Sequence, residues 1–223
     1  MTHTGHTGYT GDVTAGGPPA VRELAGLTLV KTEVGEHGNN AYLLRCRATG
    51  EQLLIDAAFE ADRLLDLAGP AGLGTVVTTH AHEDHWAALA EVVAATGADS
   101  VAHRADAPEL PVVTTTVAEG DLVAVGEHTL EVIHLQGHTP GSIALLLREP
   151  AGPAHLFTGD SLFPGGVGNT EGDPVRFASL IDDVEAKLFG RLPDDTWFYP
   201  GHGSDSTLGA QRPHLAEWQA RGW

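Results

Sequence analysis

The chain reads as an α/β (α+β) protein of two β-sheets packed face to face, with helices on the outside. Three observations carry this. Of 223 residues, 42% are apolar, enough for one large packed domain. Segments of strand character and of helical spacing follow the order β-rich, helix, β, helix, β-rich, helix, β, helix. Several strand-like segments run into short loops of Gly, Pro, His or Asp. Two sheets covered by helices satisfy that order, because each sheet must bury its apolar faces against another layer.

Strand character begins at Leu27–Val34 and returns at residues 42–47 and Gln52–Ile55. Between the first two, Gly35-Glu36-His37-Gly38-Asn39-Asn40 is dense in turn formers and predicts a hairpin connection. Residues 59–68 have helical spacing, with Leu64, Leu65 and Ala68 on one face. A strand is expected over 73–79. A helix is expected over 84–96, with Leu89, Val92 and Val93 as its apolar positions and Gly97 as its stop. Residues 100–103, 112–117, 129–134, 143–148 and 155–158 read as further β segments. Asp173 as N-cap and Pro174 at the first helical position open a helix whose buried stripe is Phe177, Leu180, Ile181, Val184 and Leu188. A strand over 196–199 and a helix over 208–219 close the chain.

Composition narrows the function. A net charge of −18 argues against a nucleic-acid partner, which needs a basic footprint. It does not exclude an anionic substrate, since a metal site changes the local field. No apolar stretch approaches a membrane span, so no membrane partner is expected. The single cysteine, Cys46, reads as a small strand residue, and a cytoplasmic location is the simplest reading of a chain with no disulfide pair. The Thr-, Gly- and His-rich start has no hydrophobic core and is not a signal peptide. Residues 1–20, with His3 and His6, are read as a flexible arm before a single domain over 21–223. Nothing in the sequence indicates the oligomeric state.

The densest chemistry lies in His80-Ala81-His82-Glu83-Asp84-His85, directly after the apolar run Val76-Val77-Thr78-Thr79. In extended backbone His80 and His82 point to the same side. Such a run is able to hold two metal ions side by side, and paired metals point to hydrolysis. Three more strand ends carry ligand types: His138 in Gly137-His138-Thr139-Pro140-Gly141, Asp160 in Gly159-Asp160-Ser161, and His202 in Pro200-Gly201-His202-Gly203. A lone His or Asp at a turn is ordinarily solvated or a turn former. Four such ends together point to one shared site. His103, His128, His134 and His155 lack that context and read as ordinary strand or surface residues.

These motifs, in this order and approximate spacing, resemble the metallo-β-lactamase fold superfamily, and within it the glyoxalase II-like hydrolases, from about residue 25 to about 205. The resemblance implies a four-layer αββα sandwich of two mixed β-sheets with two divalent metals at one edge. Zinc is the first expectation, with iron and manganese as alternatives. It implies that His80, His82 and His138 hold one ion, that Asp84, His85 and His202 hold the other, and that Asp160 bridges them. A hydroxide bridging the two ions would attack an ester or thioester carbonyl of a small-molecule substrate, with Asp84 as the catalytic residue that orients it.

Asp160 argues against a true β-lactamase, whose pattern lacks it. The lactonases that are similar carry a Tyr shortly after this Asp, where the chain has Ser161-Leu162-Phe163. Glyoxalase II enzymes add a C-terminal helical region with basic residues that grip glutathione, whereas this chain ends 21 residues after His202 with Arg212 and Arg221 its only cations there. A different thiol carrier is therefore open. A mononuclear iron persulfide dioxygenase, and a lactonase or non-catalytic binding member of the fold, are the alternatives. Substrate contacts are expected from His37 and Asn39 in the hairpin turn, Trp86, Phe163 and Asn169.

Overall fold

The computed structural model describes residues 9–222. The first sheet holds seven strands in sequence order: β1 (Ala20–Glu23), β2 (Leu27–Val34), β3 (Asn39–Cys46), β4 (Gln52–Ile55), β5 (Thr75–Thr78), β6 (Asp99–His103) and β7 (Thr115–Val117). Pairing is antiparallel from β1 to β4 and parallel from β4 to β7. The second sheet takes β8 (Leu122–Val125), β9 (His128–His134), β10 (Ile143–Leu147), β11 (His155–Gly159), β14 (Trp197–Pro200) and β15 (Ser206–Thr207). Here β8 to β11 and β14 to β15 are antiparallel, and β11 to β14 is parallel. A small ribbon, β12 (Leu162–Phe163) and β13 (Gly166–Val167), stands apart.

Alternation along the strands sorts apolar side chains into layers. Leu44, Leu53, Ile55 and Val77 of the first sheet meet Leu130, Val132, Leu145 and Phe157 of the second. The alternate residues Leu43, Leu54 and Val76 face outward, against Leu64 of helix α1 (Ala61–Ala68) and Leu89 and Val92 of α2 (Leu89–Thr96). On the far side, Ala144, Leu146 and Leu156 pack on Phe177, Leu180 and Ile181 of α3 (Pro174–Asp183) and on Trp218 of α5 (Leu215–Arg221). The result is the four-layer αββα sandwich of two mixed sheets.

Several boundaries differ from those read in the sequence. The helix expected over 84–96 is two pieces, a 3-10 turn at Glu83–His85 and α2 from Leu89. Trp86 leaves helical geometry at φ −141° and its indole N–H donates to Ala81 O at 2.7 Å, so the first turn bends back onto the loop before it. The helix expected over 208–219 is broken by Pro213, which has no N–H to give. It becomes α4 (Leu208–Gln211), a 3-10 turn at Arg212–His214, and α5. Beyond α3 the same helical run continues as a π-helical stretch, Val184–Phe189. Strands β1, β8 and β15 and the β12–β13 ribbon are additions; each is short, and Leu122 of β8 is exposed.

His3 and His6 of the expected arm lie outside the described residues. Further along it, Tyr9 is anchored. Its hydroxyl donates to Asp205 Oδ2 at 2.8 Å, and the Arg22 guanidinium lies over its ring. Cys46 is buried in β3. His103 and His134 stack ring on ring, 4.1 Å between centroids, and His155 is buried between Tyr199 Oη and Glu149.

Candidate metal centre

Four strand ends converge at one edge of the sandwich. Residues 79–85 follow β5, residues 135–142 join β9 to β10, Asp160 follows β11, and His202 follows β14. The two sheets are tied there by backbone hydrogen bonds: Asn40 N–H to Gly201 O at 2.7 Å and Ile143 N–H to Thr79 O at 2.9 Å. Glycine is required where the chains approach. A Cβ on Gly201 would overlap Asp160 Oδ1 and press on His85 Cε1.

All seven residues expected as ligands come together. Their donor atoms fall into three groups, each within 4.8 Å: His80, His82 and His138; Asp84, His85 and His202; and His80, His85 and Asp160. Asp160 therefore sits with one histidine from each triad. His80 Nε2 and His138 Nε2 are 3.2 Å apart, as are His85 Nε2 and His202 Nε2. His202 Nε2 lies 3.3 Å from Asp84 Oδ2 and 3.5 Å from Asp160 Oδ2. Donors about 2.0–2.2 Å from one tetrahedral ion stand roughly 3.3–3.6 Å apart, so these spacings fit ions held between them.

The outward faces of the imidazoles fix their tautomers. His138 Nδ1 donates to Asn169 O at 2.7 Å, and His202 Nδ1 donates to His37 O at 3.1 Å. His85 Nδ1 donates to Asp56 Oδ2 at 2.9 Å. His80 Nδ1 lies 3.0 Å from Thr79 Oγ1, which itself donates to Asp56 Oδ2 at 2.8 Å. With Nδ1 carrying the proton, the Nε2 atoms of His80, His138 and His202 turn a lone pair inward, and that of His85 does so once it gives up its second proton, the arrangement metal ligands adopt. Asp160 Oδ1 is buried and accepts no hydrogen bond. A buried carboxylate oxygen with no hydrogen bond, facing His85 Nε2 at 3.4 Å, is suited to a cation held between the two.

Electrostatics prepare the same donors. Burial, and then the neighbouring histidines, hold His80 well below the ordinary imidazole value, and burial lowers His138 too, so both stay neutral ligands. Burial opposes the charge on Asp160, but His85, His202 and His138 outweigh it and the carboxyl stays below its usual range. Burial likewise opposes charge on Asp84, and the Asn39 hydrogen bond with His85 and His202 outweighs it. His85 is the exception. Burial works against its charge, yet Asp160 and Asp56 push it up to about 10, so a proton stands where a cation would go.

The expected substrate contacts divide. His37 has an exposed ring and, with Phe59, Glu83 and Asp84, lines a cleft of 540 Å³ beside His82. Phe163 is half-buried at the rim, its ring 6.5 Å from that of His202. Asn39, Trp86 and Asn169 also brace the frame. Asn39 is fully buried and its Nδ2 donates to Asp84 O at 2.8 Å and Asp84 Oδ2 at 3.0 Å. Trp86 holds Ala81 O, and the Asn169 carbonyl holds His138. A second cleft of 310 Å³ opens on the other side of His82, between His138, Gln136, Glu109 and Arg176. Asp56 and Asp106, both buried acceptors behind the ligands, escaped the sequence reading. Asp56 carried a signal, since it follows an apolar strand as Asp160 does. Asp106 precedes Ala107-Pro108 and imitates a helix N-cap, although its side chain makes no capping bond.

A two-sheet sandwich with a His/Asp cluster at one edge defines a class, and the sequence comparison agrees. The chain belongs to the metallo-beta-lactamase superfamily, whose family profile matches residues 34–202 and so spans every donor above. It is similar to a hydroxyacylglutathione hydrolase of Rhodospirillum rubrum, 37% identical over 167 residues. That alignment covers 74% of this chain and 62% of the relative, so the chain spans under two thirds of that relative's length. ETHE1 from Myxococcus xanthus superimposes with a TM-score of 0.76 at 29% identity, covering 86% of this chain and 84% of that one. TTHA1623, solved in a di-iron-bound form, has a TM-score of 0.68 at 31% identity, covering 82% and 96%.

Proposed function

We propose that the chain hydrolyses a thioester, or a related ester, of a small molecule with two divalent metal ions held by the seven donors. The observation that carries this is Asp160 grouping with one histidine of each triad, the placement a bridging carboxylate needs. Similarity to hydroxyacylglutathione hydrolases supports the thioester. His80, His82 and His138 would hold one ion, Asp84, His85 and His202 the other. Zinc suits this nitrogen and oxygen set, and the di-iron form of TTHA1623 makes iron the second choice.

The ions, when bound, supply Lewis acidity and acidify water to near neutrality. The chain's own residues do the rest. Asn39 pins Asp84 Oδ2, so the half-buried Asp84 carboxylate is fixed in direction and orients the attacking water. The two clefts flanking His82 receive the two arms of the substrate, with its carbonyl between them over the donor cluster. A thiolate leaves without a general acid, because its conjugate thiol has a pKa of only about 8.5. The cleft beside His37 extends past Phe59 to Glu36 and Glu60, and with Glu83 and Asp84 its walls, among the described residues, carry carboxylates and no Lys or Arg. That lining favours a neutral or cationic carrier over one rich in carboxylates.

The test is protein purified without added metal, measured for metal content by mass spectrometry and assayed on a thioester panel. Two ions per chain and chelator-sensitive hydrolysis are expected. One iron per chain with oxygen uptake would establish the dioxygenase instead, and no metal-dependent turnover on any member would end the hydrolase reading.

A further inference from the structure

The His80–His82 turn and the His138 loop come from different sheets, yet one side chain holds both. Asp106 is 1% exposed. Its Oδ2 accepts from the N–H of Ala81, between His80 and His82, at 2.9 Å. The same oxygen accepts from Thr139 Oγ1 at 2.5 Å, and Oδ1 accepts from Gly141 N–H at 2.6 Å. Gly141 has no room for a side chain, since a Cβ would lie 2.6 Å from Asp106 Oδ1. The opposite polarity of the His138 loop is taken by Arg176, which donates from Nε to Gly137 O at 2.8 Å and from Nη2 to His138 O. The loop is thus held by an anion on its N–H side and a cation on its C=O side. Only the anion also reaches the His80–His82 turn.

We propose that Asp106 is a positioning residue that sets the affinity of the His80, His82 and His138 group for its ion without touching the ion. This rests on the two-ion reading above. The physical reason is the acceptor count. An ionised carboxylate accepts all three hydrogen bonds, whereas an amide of the same shape replaces one oxygen by a donor. With asparagine at this position, either Ala81 N–H or Gly141 N–H always loses its acceptor, and one of the two ligand segments is released. The other group takes its support elsewhere: Asp84 from Asn39, His85 from Asp56, and His202 from the His37 carbonyl. Asp56 differs again, since it backs His85 directly and His80 through Thr79, one imidazole in each group.

The experiment is a calorimetric titration of metal-free wild type, D106N and D56N with zinc, repeated with cobalt to follow the visible spectrum. Wild type is expected to take two ions. D106N should keep one at wild-type affinity and bind the other roughly 10–100-fold more weakly, the range for losing support behind a ligand. H82A removes a donor from that group alone, so it should weaken the same ion, more strongly than D106N does, and identify the ion affected. D56N should weaken both. If D106N does not fold, T139V removes one donor onto the same carboxylate and should weaken the same ion to a smaller degree. Unchanged affinities in D106N or T139V, or equal loss of both ions, would overturn the role of Asp106. A wild type that binds fewer than two ions would overturn the two-ion reading itself, a separate result.

Discussion

Asp160 Oδ1 is buried and, among the described residues, accepts no hydrogen bond; it faces His85 Nε2 at 3.4 Å, and at the residue scale this under-satisfied acceptor is the clearest mark that a cation belongs here. Asp56 shows the opposite condition. It stands at φ 60° and takes Thr79 N–H, Thr79 Oγ1 and His85 Nδ1. Replacing it by alanine strands those buried donors, each at about 1–3 kcal/mol. Asp56→Ala is therefore expected to lower the stability of the metal-free protein by at least about 3 kcal/mol in denaturant unfolding. Asp160→Asn should lose metal affinity in calorimetry and, because it removes a carboxylate that supports the His85 charge, lower the metal-free stability only modestly in unfolding. The seven donors were legible because each is a chemically conspicuous residue at a strand end. Asp106, and the hold of Asn39 on Asp84, were not, because the partners are groups distant in sequence, and no local pattern reports such a meeting.

At the scale of elements, the loop carrying His202 hangs from β2 and β3. Lys31 of β2 donates to Gly203 O at 2.8 Å and to Asp205 Oδ1 at 2.7 Å, with both side chains of the pair fully buried. Asn40 and Tyr42 of β3 hold Pro200 O at 2.9 and 2.6 Å. Burial pushes the Asp205 carboxyl up, with Lys31 pulling against it. Removing one partner of such a pair leaves a buried charge, so Lys31→Met should destabilise by about 3–5 kcal/mol. Adding Asp205→Leu to that variant should recover most of the loss, which a double-mutant cycle in denaturant would measure. Strand and helix positions were legible from period, but where they break was not. The helix expected over 208–219 ran through Pro213, which breaks it, while Trp86 bends its turn through a bond to Ala81 O that only the folded chain makes.

For the whole molecule, a charge of −18 gives substrates a field to cross before they reach the clefts. Thioesters of a carboxylate-rich thiol should show kcat/KM rising with added salt, and those of a cationic thiol the reverse, because salt screens repulsion and attraction alike. Equal salt dependence across the panel would remove the carboxylate lining as a determinant.

The order of the strands has one more consequence. Every strand of the first sheet precedes every strand of the second, and the crossing falls in the turn after β7, between Val117 and Leu122. His80, His82, Asp84 and His85 lie before that turn, and His138, Asp160 and His202 after it. Neither triad is complete within one half of the chain. A polypeptide nicked at Glu119–Gly120 would thus be a pair of incomplete chelators, whose reassociation metal ions strengthen and a chelating agent weakens. Metal ions would reinforce a seam between the two halves of the chain that the shared core and the backbone hydrogen bonds already close.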